Sequence, residues 1–313
     1  AVMADLHSMW ARKAFSASSL WTVEEACDSR DVRAALVEEF WVKNTLANSL
    51  LYHVPGAISF HERMKLFRKV VDRERLEIQG DPNPNSGARR PSIVFQVRRN
   101  MLLEDGMKAM EKITGANIKM RIQIQYINEY GEAEAGIDIG GLFKDFVTDL
   151  SDRIFDPNYG LFCMTAQNYL YPNPAASQLY DEHELVNLFS FLGRVLGKAL
   201  YENITLQPQF AHFFLAFMHG RYNFQHMLSD LVTLDPELHK NLLFLKSYDG
   251  DVQDLCLTFS VSDTSLGGAA EVPLFPGGEH VEVTASNRHQ YINAVAKHHL
   301  HDRPKEQAGA LFP

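Results

Sequence analysis

The 313-residue chain is 46% hydrophobic, and 30 basic against 39 acidic residues leave a formal charge of −9 with histidine neutral. That much apolar material supplies a sizeable core, with room for two modules at about 150 residues per domain. The negative balance and the lack of a Lys/Arg-rich block exclude bulk attraction to nucleic acid or an anionic membrane, and Cys27, Cys163 and Cys256 are too few and too scattered for a disulfide framework or a C-x-x-C metal pair.

A reducing cytoplasm, or the nucleus, is the expected compartment. The longest dense apolar run, residues 213–218, falls well short of the roughly 18 residues a membrane span needs, and the N-terminus carries no signal-peptide pattern. The chain opens on Ala1 and stops just after a helical-looking stretch, as a fragment of a longer protein would.

Residues 32–52 and 57–75 carry apolar side chains at helical spacing, Met64, Phe67, Val70 and Val71 among them, and Pro55-Gly56 separates the two helices. QGDPNPNSGARRP (79–91) has only Ala88 as a small apolar side chain and predicts a mobile loop. SIVFQV (92–97) and residues 118–126, the latter strictly alternating, predict strands on either side of a helix in MLLEDGMKAMEKI. The glycines of EAEAGIDIGGLFKDF (132–146) then turn the chain into a helix beginning near Gly141. From Asp181, ELVNLFSFLGRVLGKALYEN places Leu185, Leu188, Phe189, Leu192, Val195, Leu196 and Leu200 on a broad stripe, the pattern of a central buried helix.

Helices continue from residue 207 to 220, from 222 to 234, and from 236 to 246, the last with Asp235 as N-cap and Pro236 in its first position. Short strands are expected at 255–261, 271–275 and 280–283, followed by helices at 287–300 and 305–311. With no repeat and no alternating β-α pattern, the expected class is α+β, mostly helical with a few strands.

Several motifs suggest chemistry and fail its requirements. Gly136, Gly140 and Gly141 fit neither G-x-G-x-x-G nor G-x-x-x-x-G-K-[ST], and Asp138 opposes a phosphate at the helix start. GRVLGKA (193–199) is one residue short of a phosphate loop and lies inside a helical pattern, so Gly193 and Gly197 read as points of close packing. In KHHLH (297–301) only His298 and His301 share a helix face, with no acid or cysteine at matching spacing, which predicts a solvated face and no metal. Residues 248–254 resemble a calcium loop, but Ser260 stands where the bidentate glutamate belongs; a helix-to-strand turn is the better reading. There is no G-x-S-x-G elbow, Cys163 and Cys256 read as inert core thiols, and acidic neighbours suppress the thiolate of Cys27. No catalytic residue, metal or cofactor is expected in this chain.

Six blocks nevertheless carry a resemblance: RRNMLLEDGMKAM, GIDIGGLFKDF, LYPNPAAS, FLGRVLGKALYENI, NLLFLKSYDGDVQDLCLTFSV and PGGEHVEVTASNRHQYI. In order and spacing they resemble the N-terminal lobe of the HECT-type ubiquitin ligases over about residues 57–313. LYPNPAA and LGKALYEN are most like the branch known as types three-B and three-C. The resemblance implies a large subdomain at 57–203 and 286–313, a small subdomain at 204–285, and a helical lead-in over 1–56. It implies a lobe that docks a ubiquitin-conjugating enzyme, after which ubiquitin passes to a C-lobe cysteine and on to a substrate lysine. Protein substrates would be held by regions outside the chain.

The family's cysteine lies in a motif like L-P-T-x-x-T-C, which does not occur here, so this chain alone is expected to be inactive as a transferase. By the same resemblance the conjugating enzyme sits in an apolar groove formed by Leu238, Leu242 and Leu245, by Leu255 or Cys256, and by Tyr291. Leu238, Leu242 and Leu245 do share a helix face at i, i+4 and i+7, though any core-facing helix shows that spacing. An aspartate at 242 is expected to block docking and leave the fold intact. The competing reading is a non-catalytic helical interaction module, a truncated or decoy ligase.

Overall fold

A computed structural model of the chain describes residues 6, 7, 10, 16–22, 38, 51–53, 55–80, 92–113, 115–128, 130–134, 141–218, 227–263 and 270–311. They fall into two compact units, residues 1–93 with 114–122 and residues 94–113 with 123–313. The architecture is α+β: helices dominate, with three small two-stranded sheets.

The first unit is built on helix α1 (Phe60–Gln79). Ser59 caps it by accepting the Glu62 N–H, the S-x-x-E spacing that satisfies an otherwise orphaned donor. At the other end the Gln79 amide donates to the Lys119 carbonyl at 2.7 Å and the Lys119 ammonium meets Glu74 at 2.6 Å, fixing the 3-10 turn Gly115–Lys119 against the helix. The helix thus runs past residue 75 and stops at Gly80, whose φ of 78° lies in the left-handed region.

Strands β1 (Ser92–Arg98) and β2 (Arg121–Ile127), whose residues from 94 and from 123 belong to the second unit, pair, and Phe95, Val97, Ile124 and Tyr126 are buried at alternate positions, as a period of two requires. Helix α2 (Leu102–Glu111) packs against α3 (Gly141–Ile154) and α4 (Glu182–Tyr201). The Arg98 guanidinium grips Asp105 through two bonds of 2.8 and 2.6 Å, tying β1 to the first turn of α2. Those hydrogen bonds hold the Asp105 carboxyl below the usual carboxylate range.

Asp181 caps α4, which buries Leu185, Leu188, Phe189, Leu192 and Val195 as predicted, whereas Leu200 in its last turn faces solvent. Between α3 and α4 lies an antiparallel hairpin that periodicity does not announce, β3 (Phe162–Met164) with β4 (Leu170–Pro172), Cys163 opposite Tyr171. Three-residue strands are too short for an alternation to register.

Helices α5 (His212–Met218), α6 (Met227–Leu234) and α7 (Pro236–Lys246) follow, then strands β5 (Ser260–Asp263) and β6 (Ala270–Pro273), antiparallel with Val261 opposite Val272. The strand expected over 255–261 starts only at Ser260, because Val252–Leu255 form a 3-10 turn capped by Asp251. The strand expected over 280–283 is instead a 3-10 turn, Gly278–His280, followed by a single bridge from Glu282 to Thr258.

Helix α8 (Arg288–Lys297) packs on α6 and α7, then passes through a π-helical turn, His298–Asp302, into α9 (Lys305–Leu311) along α4. The solvated histidine face expected here is wrong. His301 is buried, its ring 5.1 Å from that of Phe217 and its Nδ1 2.8 Å from Asp302, and His298 and His299 are half-buried. Of the two glycines read as packing points only Gly193 is one. A Cβ there would overlap the Leu311 carbonyl of α9, whereas a Cβ at Gly197 would meet nothing within 4 Å.

Most of the helix expected over 32–52, residues 81–91 of the expected loop, the glycine turn at 135–140, residues 222–226 of the expected 222–234 helix, and Cys27 lie outside the described residues.

Candidate docking surface

Helix α7 is defined sharply at both ends. Asp235 accepts the Leu238 N–H at 2.9 Å, Pro236 occupies the first turn, and the Ser247 N–H returns to the Leu243 carbonyl. Beyond it the Arg288 guanidinium donates to the Tyr248 carbonyl at 2.7 Å, pinning the start of α8 to the end of α7. Asp251 then accepts the Gln253 N–H at 3.0 Å and opens the 3-10 turn. The turn closes on Cys256, in the left-handed region at φ 49°. Asp251, in the stretch read against a calcium loop, therefore shapes a turn.

The six residues expected to form a groove fall into different environments. Leu242 and Leu245 are each only 4% exposed, on the side of α7 that packs against α6 and α8, and Tyr291 of α8 is 8% exposed. The Tyr291 ring meets Phe259 edge to face at 5.5 Å, and burial pushes its hydroxyl pKa up. These three are interior residues of the α6–α7–α8 cluster. Leu238 and Leu255 are half-buried, and Cys256 is exposed.

Two consequences follow for the sequence reading. The expectation that Cys256 is a core thiol is wrong, because the left-handed turn directs that residue outward. An aspartate at 242 would place a carboxylate in an apolar interior, so the fold would not be left intact.

Sequence reasoning missed Leu243 and Phe244, which are 42% and 60% exposed on the outward side of α7. The signal lies in NLLFLK: residues 242–245 are apolar at four consecutive positions, more than one buried helix face can take up.

Cys163 is half-buried in β3, where burial pushes its thiol up and disfavours thiolate. The Tyr171 hydroxyl opposite it is pushed up to about 12, chiefly by burial and then by the thiol. Among the described residues no three His, Cys, Asp or Glu side chains gather as metal ligands, and no helix is long and apolar enough to cross a membrane.

A mostly helical α+β lobe with an apolar, capped α7 is the setting in which the family relation falls. The HECT-domain (ubiquitin-transferase) family matches residues 148–312, more than half of the chain, which belongs to that family. Over 285 residues, 90% of its length, the chain is 36% identical to the E3 ubiquitin-protein ligase UPL6 of Arabidopsis thaliana. It is 34% identical over 297 residues, 93% of its length, to the ubiquitin-protein ligase E3B of Homo sapiens. Over 267 residues, 81% of its length, it is 36% identical to the E3 ubiquitin-protein ligase HUL5 of Saccharomyces cerevisiae. The chain spans about a quarter of each of these relatives, 27%, 27% and 28% of their lengths.

Proposed function

We propose that this region is the N-lobe of a HECT ubiquitin ligase, and that it docks a ubiquitin-conjugating enzyme on the outward side of α7 and the Val252–Cys256 corner. Ubiquitin then passes to a cysteine in a C-lobe outside this chain and from there to a lysine of a protein substrate held elsewhere in the ligase. Residues 204–285 act as the small, docking subdomain, and residues 57–203 with 286–313 as the large one. The cytoplasm, with or without the nucleus, is where such a lobe would work.

The observation that carries this reading is a closed interior beneath an open apolar surface. Leu242, Leu245 and Tyr291 fix the α7–α8 packing, while Leu238, Leu255 and Cys256 keep accessible surface on capped, well-defined backbone. A preformed apolar surface of this kind suits a transient partner, since little ordering entropy is lost on docking.

Binding by a panel of purified ubiquitin-conjugating enzymes tests it. Leu238→Asp and Leu255→Asp should each weaken binding about tenfold or more, because an apolar anchor contributes on the order of 1–3 kcal/mol. Undiminished binding by both variants removes the docking assignment. When the chain is mixed with a ubiquitin-charged enzyme, no thiol-sensitive ubiquitin adduct should form on it. An adduct on Cys163 or Cys256 would overturn the assignment of the thioester to a cysteine elsewhere.

A further inference from the structure

The exposed Phe244 is not isolated. Its ring stands 5.5 Å from that of Tyr248, one turn further along, and the chain then folds back so that a Cβ on Gly250 would lie 2.6 Å from the Tyr248 hydroxyl and ring. Tyr248 thus has Phe244 on one side and the backbone of the following turn close on another, and its carbonyl is held by Arg288. A side chain at 250 would have to displace the Tyr248 ring from this position. The turn that closes on the tyrosine also carries Asp249, Asp251 and Asp254, all exposed. From 247 to 256 there are three carboxylates and no lysine or arginine, so this end of the aromatic pair is acidic.

An exposed Phe244 ring backed by a half-buried Tyr248, beside carboxylates of the turn that follows, matches one side-chain chemistry. A guanidinium or ammonium is attracted by the ring quadrupole and by the carboxylates together, and its aliphatic stem covers the apolar ring. We infer that the Phe244–Tyr248 pair and the 249–254 turn form a cation-accepting shelf that selects, among ubiquitin-conjugating enzymes, those presenting an arginine or lysine beside the α7 surface. The shelf rests on the docking reading above and specifies its partner. Leu238 and Leu255 supply apolar contact that any conjugating enzyme can use, and the shelf supplies discrimination.

Calorimetric titration of the 313-residue chain with the tightest binder of a panel of purified conjugating enzymes tests this. Phe244→Ala should raise Kd about tenfold, Phe244→Leu should recover only part of that loss, and Asp249→Asn with Asp254→Asn should flatten the fall of affinity with salt. Phe244 is exposed, so circular dichroism of these variants should match the parent chain. Wild-type affinity in Phe244→Ala, with Leu238→Asp still impaired, overturns the shelf alone. Full recovery by Phe244→Leu, or an unchanged salt dependence in the double asparagine variant, overturns its cationic occupant. Wild-type affinity in Phe244→Ala, Leu238→Asp and Leu255→Asp alike, or a panel with no binder, overturns docking and shelf together.

Discussion

Gly193→Ala and Gly197→Ala, four residues apart on α4, should move stability in opposite directions. Replacing an interior helical glycine by alanine favours the helix by about 1 kcal/mol on conformational grounds alone. That is the whole expectation at Gly197, where the added methyl meets nothing within 4 Å. At Gly193 the methyl would take the place of the Leu311 carbonyl, a backbone atom that cannot rotate aside. Either α4 and α9 separate, an overpacking cost of about 1–3 kcal/mol, or the last turn of α9 lifts and forfeits the burial of Leu311, about 1.5–3 kcal/mol. After the helix gain, Gly193→Ala should lose up to about 2 kcal/mol. Urea unfolding followed by far-ultraviolet circular dichroism measures both variants, and hydrogen exchange over 305–311 should quicken in Gly193→Ala alone. A Gly193→Ala chain stabilised as much as Gly197→Ala refutes the close approach of the two helices.

On α7, Leu242→Ala should cost about 2–5 kcal/mol in urea unfolding and Leu243→Ala less than about 0.5, a contrast that fails if both residues face the partner. Asp105→Asn removes the acceptor that Arg98 grips. The folded pKa of Asp105 lies below its unfolded value, so its contribution is present above about pH 4 and is lost as pH falls through the folded value. Urea midpoints of Asp105→Asn and the parent chain should therefore differ at about pH 7 and differ by less at about pH 3, below the unfolded value. An offset of equal size at both pH values would assign the loss to something other than the ion pair.

The elements legible in the sequence are those whose local signals agree. Helix α4 has a cap at Asp181 and a long apolar stripe, and α7 has Asp235-Pro236, so propensity, capping and periodicity point the same way. Where one short-range hydrogen bond decides, the pattern misleads. LCLTFSV has strand composition, yet the turn capped by Asp251 ends on its first residue, Leu255, and leaves Cys256 in the left-handed region. The π-helical turn at His298–Asp302 is similarly silent in the sequence, because His301 is placed by Asp302 and by Phe217 from a distant helix. Gly193 and Gly197 look alike within α4, and only the arrival of α9, more than a hundred residues later, separates them.

The α7 surface poses the same problem where it matters for function. Spacing of i, i+4 and i+7 at Leu238, Leu242 and Leu245 identifies a shared face but not what covers it. Once α6 and α8 are in place, two of the three belong to the interior, and the family resemblance brings both kinds of residue together under one groove. A carboxylate at 242 would abolish binding whether or not a partner ever touches that residue, since it would first disrupt the packing of α7. Loss of binding there carries no information about docking. Positions that can decide the question are those with accessible apolar surface on intact backbone, Leu238, Leu255 and Phe244, where binding can fall while the unfolding midpoint stays in place.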